Sequence, residues 1–208
     1  MKNILSKLLL LGIVLVLTNC NAAPSNDQTQ TEQPETETEQ TPPAEVADET
    51  TYDESSYETT VLKDGIASPR KEMKGTIGAT EITINYGSPS VKGRTILGNL
   101  LPYDAVWRTG ANEATTFQIS EAVNIEGKTL PAGKYGLFTI PKREGWVIIF
   151  NKVADQWGAY DYDESKDVLR VEVSPSASDA PSETMDFIVE GDSVVLIWES
   201  LKVPFKVG

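Results

Sequence analysis

Lys134-Tyr135-Gly136-Leu137-Phe138-Thr139-Ile140, Pro141-Lys142-Arg143-Glu144-Gly145 and Trp146-Val147-Ile148-Ile149-Phe150 read as two apolar runs joined by a turn. The second run is continuously apolar, which suits a central strand. The proline, glycine and charges between the runs suit a turn. Working outward, the same grammar recurs. Glu81-Ile82-Thr83-Ile84-Asn85-Tyr86 alternates polar and apolar residues, as do Thr115-Thr116-Phe117-Gln118-Ile119 and Leu169-Arg170-Val171-Glu172-Val173. Such alternation predicts half-buried strands. Val194-Val195-Leu196-Ile197-Trp198 is a second continuous run. Glu126-Gly127-Lys128 follows one extended stretch, and Gly191-Asp192 separates two others as a two-residue hairpin turn does. About nine to eleven short strands are expected, with Gly93–Leu97 making one helical turn at most. The predicted fold is all-β: a single antiparallel β-sandwich, jelly-roll-like, over residues 63–208.

The remaining residues are of a different kind. The chain has 208 residues, 18 Lys+Arg against 31 Asp+Glu, one cysteine and no histidine. Without histidine there is no Ser-His-Asp catalysis and no imidazole base or metal ligand. One cysteine excludes an internal disulfide. The net charge of -13 argues against a nucleic-acid partner. Most of that charge sits in residues 20–62, which carry 11 acidic residues and no base. This stretch holds the low-complexity runs Thr29-Gln30-Thr31-Glu32-Gln33 and Glu35-Thr36-Glu37-Thr38-Glu39, with prolines at 34, 42 and 43. It is expected to be a disordered acidic tether.

Residues 1–19 are expected to be a targeting signal. Lys2 and Lys7 precede the apolar run Leu8–Leu17, which is short for a membrane span. Leu17-Thr18-Asn19-Cys20 then resembles the bacterial lipobox, although Asn19 replaces the small residue usual before the cysteine. Cys20 is therefore the expected lipidation site, holding the protein on a membrane through acyl chains. The expected location is the cell envelope, on the outer membrane, with the leaflet left open.

Three further stretches are compositionally distinctive: Tyr86–Arg94 (YGSPSVKGR), Val106–Thr115 (VWRTGANEAT) and Leu130–Phe138 (LPAGKYGLF). With Asn151 and Gln156-Trp157-Gly158-Ala159-Tyr160 they resemble the family catalogued as domain of unknown function 2911, over about residues 66–206. The resemblance implies a β-rich domain in the envelope of Gram-negative bacteria. It implies no activity and no catalytic residue.

Segment 86–113 is the first candidate site. Trp107, Trp157 and Tyr160 offer flat faces for a sugar. Arg94 and Arg108 suit a carboxylate or phosphate, with Asn112 and Glu113 completing the hydrogen bonding. Against this, Arg108 and Glu113 also suit a structural ion pair, with Trp107 in the core beneath and Gly110 at a turn needing positive φ. A weaker candidate is a calcium loop at Asp161, Asp163 and Asp167, although Lys166 stands where the turn wants glycine. Glu113 with Asp161 or Asp163 would be the pair for a hydrolase. The leading expectation is a non-catalytic module binding a small molecule or glycan, with no cofactor. An accessory subunit docking on another envelope protein ranks second, and the hydrolase third.

Overall fold

The computed structural model describes residues 56–208. The expected signal sequence, Cys20 and residues 20–55 of the expected tether lie outside the described residues. In chain order the strands are β1 (Tyr57–Lys63), β2 (Arg70–Ile77), β3 (Thr80–Gly87), β4 (Thr115–Ile119), β5 (Val123–Ile125), β6 (Lys128–Leu130), β7 (Gly133–Lys142), β8 (Gly145–Asn151), β9 (Asp167–Val173), β10 (Ser176–Glu190) and β11 (Ser193–Lys206). Seven of them form one antiparallel sheet in the order β1-β2-β3-β4-β7-β8-β9. β10 and β11 make a long hairpin, and β5 and β6 a short one. The fold is all-β and two-layered, as expected. Its large sheet is a sequential meander, from which the chain departs once, for the β5–β6 hairpin.

Alternation places the core. Ile82, Ile84 and Tyr86 of β3, Phe117 and Ile119 of β4, Leu137 of β7 and Trp146, Ile148 and Phe150 of β8 share one face of the sheet. The β10–β11 hairpin covers that face with Phe187, Val194, Leu196, Trp198, Val203 and Phe205. Phe205 reaches Phe117 and Phe150 at centroid separations of 5.8 and 5.9 Å. Each such fully buried side chain contributes about 1.5–3 kcal/mol of hydrophobic stabilisation.

The intervening residues of β7 and β8 are buried too. Phe138, Val147 and Ile149 form a second cluster with Ala114, against which Val106, Ile140, Ala159 and Tyr162 pack. This second face is covered by loop segments. The continuous apolar run of β8 thus reflects a strand buried on both sides.

The turns bear out the local chemistry. Glu126 and Gly127 carry φ of 49 and 76°, and Gly191 carries φ 59° between paired Glu190 and Ser193. Pro141-Lys142 continues β7 and pairs with Trp146 and Gly145, so the turn there shrinks to Arg143-Glu144. Gly93–Leu97 makes no helix; the helical turn among the described residues is the 3-10 segment Glu164–Lys166. The folded region begins before residue 63, because β1 is paired from Tyr57 to Lys63 with β2. After Tyr57 every residue of β1 is exposed, so its backbone ladder, and no apolar alternation, holds it in place.

A polar link joins the layers. Asp186 of β10 accepts from Lys71 Nζ at 2.6 Å, Tyr86 Oη at 2.9 Å and Thr184 Oγ1 at 2.9 Å. Burial, and then the neighbouring Asp186 carboxylate, push the Tyr86 phenol far above its usual titration range.

Candidate functional site

The loops that cover the outer face of β7 and β8 carry most of the residues singled out in the sequence. Before it enters β4 the chain lies alongside β7, where Trp107 and Thr139 exchange backbone hydrogen bonds of 2.8 and 2.9 Å. Alternation then sends Trp107 inward and Val106 and Arg108 to the outer face. The segment after it pairs with 156–158. Ala114 N–H donates to the Gln156 carbonyl at 3.0 Å, and Gly158 N–H to the Asn112 carbonyl at 3.1 Å. Glu113 and Trp157 form the bridge between them.

Glycines allow the close approaches. A Cβ on Gly87 would sit 2.1 Å from the Ala111 carbonyl oxygen. Gly110 is likewise needed for contact: a Cβ there would meet Thr115 Oγ1 at 2.8 Å, while Thr109 and Asn112 carry the positive φ of this loop. At Gly158 a Cβ would lie 3.1 Å from the Tyr160 ring and 3.6 Å from an Arg108 guanidinium nitrogen. Tyr160 and Arg108 therefore close over one glycine. Trp157 is 58% exposed and Tyr160 82%.

Five of the seven expected binding residues, Arg108, Asn112, Glu113, Trp157 and Tyr160, are thus brought together. The other two take different roles. Trp107 stacks on Trp198 at 5.9 Å, meets Trp146 edge-on at 6.3 Å and donates its indole N–H to the Gly110 carbonyl. Arg94 folds back onto the Ser90 and Val91 carbonyls of its own loop, which is tied to Glu183 of β10. Arg108 and Glu113 do not pair. Glu113 faces Arg70 at 3.7 Å, and none of the ion pairs among the described residues includes Arg108.

A family model covers the whole of this surface and nearly all of the domain around it. The model described as "Protein of unknown function (DUF2911)" matches residues 68–207. The chain belongs to this family. No curated protein and no solved structure matches the chain.

Within the DUF2911 domain the acidic loop that follows is structural. Asp163 accepts from Ser165 N–H at 2.9 Å and caps the 3-10 turn, and these hydrogen bonds hold its carboxyl below the usual range. A lowered carboxyl stays ionised, so Asp163 is not the proton donor of a two-carboxylate site. Asp167 accepts from Asn151 Nδ2 at 2.7 Å, Tyr162 Oη at 2.6 Å and Arg170 Nε at 2.7 Å. Among the described residues no group of three acidic side chains is arranged to hold a metal, so Asp161, Asp163 and Asp167 do not assemble as a calcium loop.

The Tyr162 cluster pins the loop that presents Trp157 and Tyr160. Tyr162 also packs on Phe138 at 5.0 Å. Burial, and then its hydrogen bond to Asp167, push the Tyr162 phenol from 10.0 up to about 12. A folded value above the unfolded one means that the native state holds the proton more tightly. This stabilisation is fully present below pH 10 and is lost as pH rises towards 12. Alkaline titration of the folded chain, followed by phenolate absorbance, is expected to show a tyrosine titrating near pH 12 that disappears in Tyr162→Phe, while the still later Tyr86 phenol is unchanged.

The DUF2911 domain also has a feature to which sequence reasoning assigned no role beyond a turn. Two adjoining clefts, of 680 and 530 Å³, flank Trp146 at the β7–β8 turn. Both are lined by Lys142, Glu144, Gly145, Trp146 and Ser174. Arg143 beside them stacks over Tyr103 at 4.9 Å. The only sequence signal was the density of charge within the turn Pro141–Gly145.

Proposed function

We propose that this protein is a lipid-anchored protein of the cell envelope, held on the outer membrane through Cys20, whose DUF2911 domain is a non-catalytic binding module for a small molecule or glycan. The site is the surface of Arg108, Asn112, Trp157 and Tyr160. The observation that carries it is the exposure of two aromatic rings, Trp157 at 58% and Tyr160 at 82%, beside a guanidinium with no ion-pair partner among the described residues. Exposed aromatics on a loop held rigidly by glycine contacts and by the Tyr162 cluster suit stacking on a sugar face.

Trp157→Ala and Tyr160→Ala are each expected to weaken glycan binding by about tenfold. Stability should stay within about 0.5 kcal/mol of the parent, because neither ring is buried. A glycan array followed by titration calorimetry measures the first, and urea unfolding the second. Unchanged affinity in both variants removes the site. For the anchor, labelled palmitate should enter the chain and fail to enter Cys20→Ala.

A second function, docking on another envelope protein, draws support from one observation. Val61 and Leu62 are 51 and 52% exposed on the edge strand β1, with Ile66 39% exposed close by. Edge strands with apolar side chains pair readily with partners. Cross-links from β1 to a reproducible partner in isolated membranes would support it.

A further inference from the structure

Buried polar atoms without partners are rare in folded proteins, and each calls for an explanation such as an ion or ligand. Among the described residues four side-chain atoms are in this condition: Arg70 Nη1, Arg108 Nε, Gln156 Oε1 and Trp198 Nε1. Trp198 belongs to the tryptophan stack. The other three lie along the ladder that joins 112–114 to 156–158. Gln156 supplies the carbonyl that receives Ala114 N–H, Arg70 faces Glu113, and Arg108 closes over Gly158.

The two arginines differ. Arg70 has the Glu113 carboxylate at 3.7 Å; burial lowers its pKa, and the fields of Glu113 and Asp155 offset part of that shift. Arg108 is part-buried, has no carboxylate partner among the described residues and leaves its Nε–H unused. A guanidinium that is part-buried without an anion pays its desolvation with no compensating pair. Its planar fork of donors matches a carboxylate or phosphate.

We infer that the site selects acidic saccharides: Arg108 takes the acid group while Trp157 and Tyr160 take the sugar faces. This rests on the binding function proposed above and adds the charge of the ligand. Tyr160, 82% exposed beside the same glycine as Arg108, is free to change rotamer as a ligand arrives. Gln156 Oε1, an acceptor without a donor, suits a sugar hydroxyl. The acid is a uronate carboxylate or a sugar phosphate, and the two sources share this chemistry.

The test uses the full chain and three probes: an oligogalacturonate, its neutral methyl ester, and glucose 6-phosphate. Titration calorimetry at low salt is expected to show the oligogalacturonate binding about tenfold tighter than the ester. Arg108→Gln should abolish that preference, and Arg108→Lys should weaken it, because lysine lacks the fork. Arg143→Gln, which removes the same charge elsewhere on the surface, should retain it. In the parent chain the Arg108 Nε–H resonance should shift on adding the acid and stay still with the ester, a readout that needs no variant to fold. Binding of glucose 6-phosphate that outcompetes the oligogalacturonate assigns the acid as phosphate. Equal affinity for acid and ester, with both lowered by Trp157→Ala, overturns the inference and leaves the glycan module standing. Failure of all three probes to bind overturns the inference and counts against the module as well.

Discussion

Trp107→Ala is expected to lower stability by about 3 kcal/mol, the low end for the loss of a large aromatic, because Trp107 is partly buried against the core. The indole lies between Trp198 at 5.9 Å and Trp146 at 6.3 Å, and its N–H satisfies the Gly110 carbonyl. Truncation removes the stack, opens a cavity beneath the β10–β11 hairpin and frees an acceptor in the loop that carries Arg108. Urea unfolding measures the loss. A change under about 1 kcal/mol, comparable to a surface substitution, would show that Trp107 is not part of the core. The contrast with Trp157→Ala is the sharpest feature of this pair. Both tryptophans belong to the distinctive motifs of the domain. One is expected to cost stability and the other affinity.

Asp186→Ala should destabilise the domain by about 3 kcal/mol, at the lower end of the range for breaking a buried ion pair. The side chains of Lys71 and Asp186 remain 16 and 20% exposed, which places the value there. The variant strips Lys71 of its carboxylate and leaves the Tyr86 hydroxyl and Thr184 without their shared acceptor. Because Lys71 and Tyr86 lie on the sheet and Asp186 on the hairpin, the loss falls on the join between layers. The paired substitution Lys71→Met with Asp186→Leu should recover part of it, since a well-packed apolar pair avoids the desolvation cost. Asp192→Asn gives the comparison. Its pair with Lys206 is exposed at both ends, 61 and 67%, and should matter by less than about 1 kcal/mol. Scanning calorimetry of the four proteins orders them, and an Asp186→Ala domain as stable as the Asp192→Asn domain would contradict the assignment.

Most strands that meet the core announced themselves in the sequence; β2, which buries Met73, did not. Ile82, Ile84 and Tyr86 alternate because one face of β3 packs on the hairpin. Trp146–Phe150 does not alternate because β8 is buried on both faces. Two-residue turns were legible at Glu126-Gly127 and Gly191-Asp192 through their glycines, which take the positive φ at Gly127 and Gly191. What escaped was set by pairing at a distance. β1 is held by backbone ladders and shows no apolar pattern. Glu113 finds Arg70, 43 positions away in the chain, in preference to its near neighbour Arg108, because the chain folds back across Gly87. The grouping of Arg108, Asn112, Glu113, Trp157 and Tyr160 was legible from motif composition. The inward turn of Trp107 was not, since one step of alternation decides which face a side chain takes.

The chain contains four tryptophans, and the fold sorts them into two optical populations. Trp107, Trp146 and Trp198 sit within 6.3 Å of one another by neighbouring centroids, with the 107–198 planes 19° apart. Rings so close and so nearly parallel couple their electronic transitions, giving the domain a near-ultraviolet dichroic signature of intact packing. Trp157 stands apart at 58% exposure and is the indole open to an aqueous quencher. The molecule therefore carries its own pair of reporters, one reading the packing of the core and the other the surface proposed as the site, with no label attached.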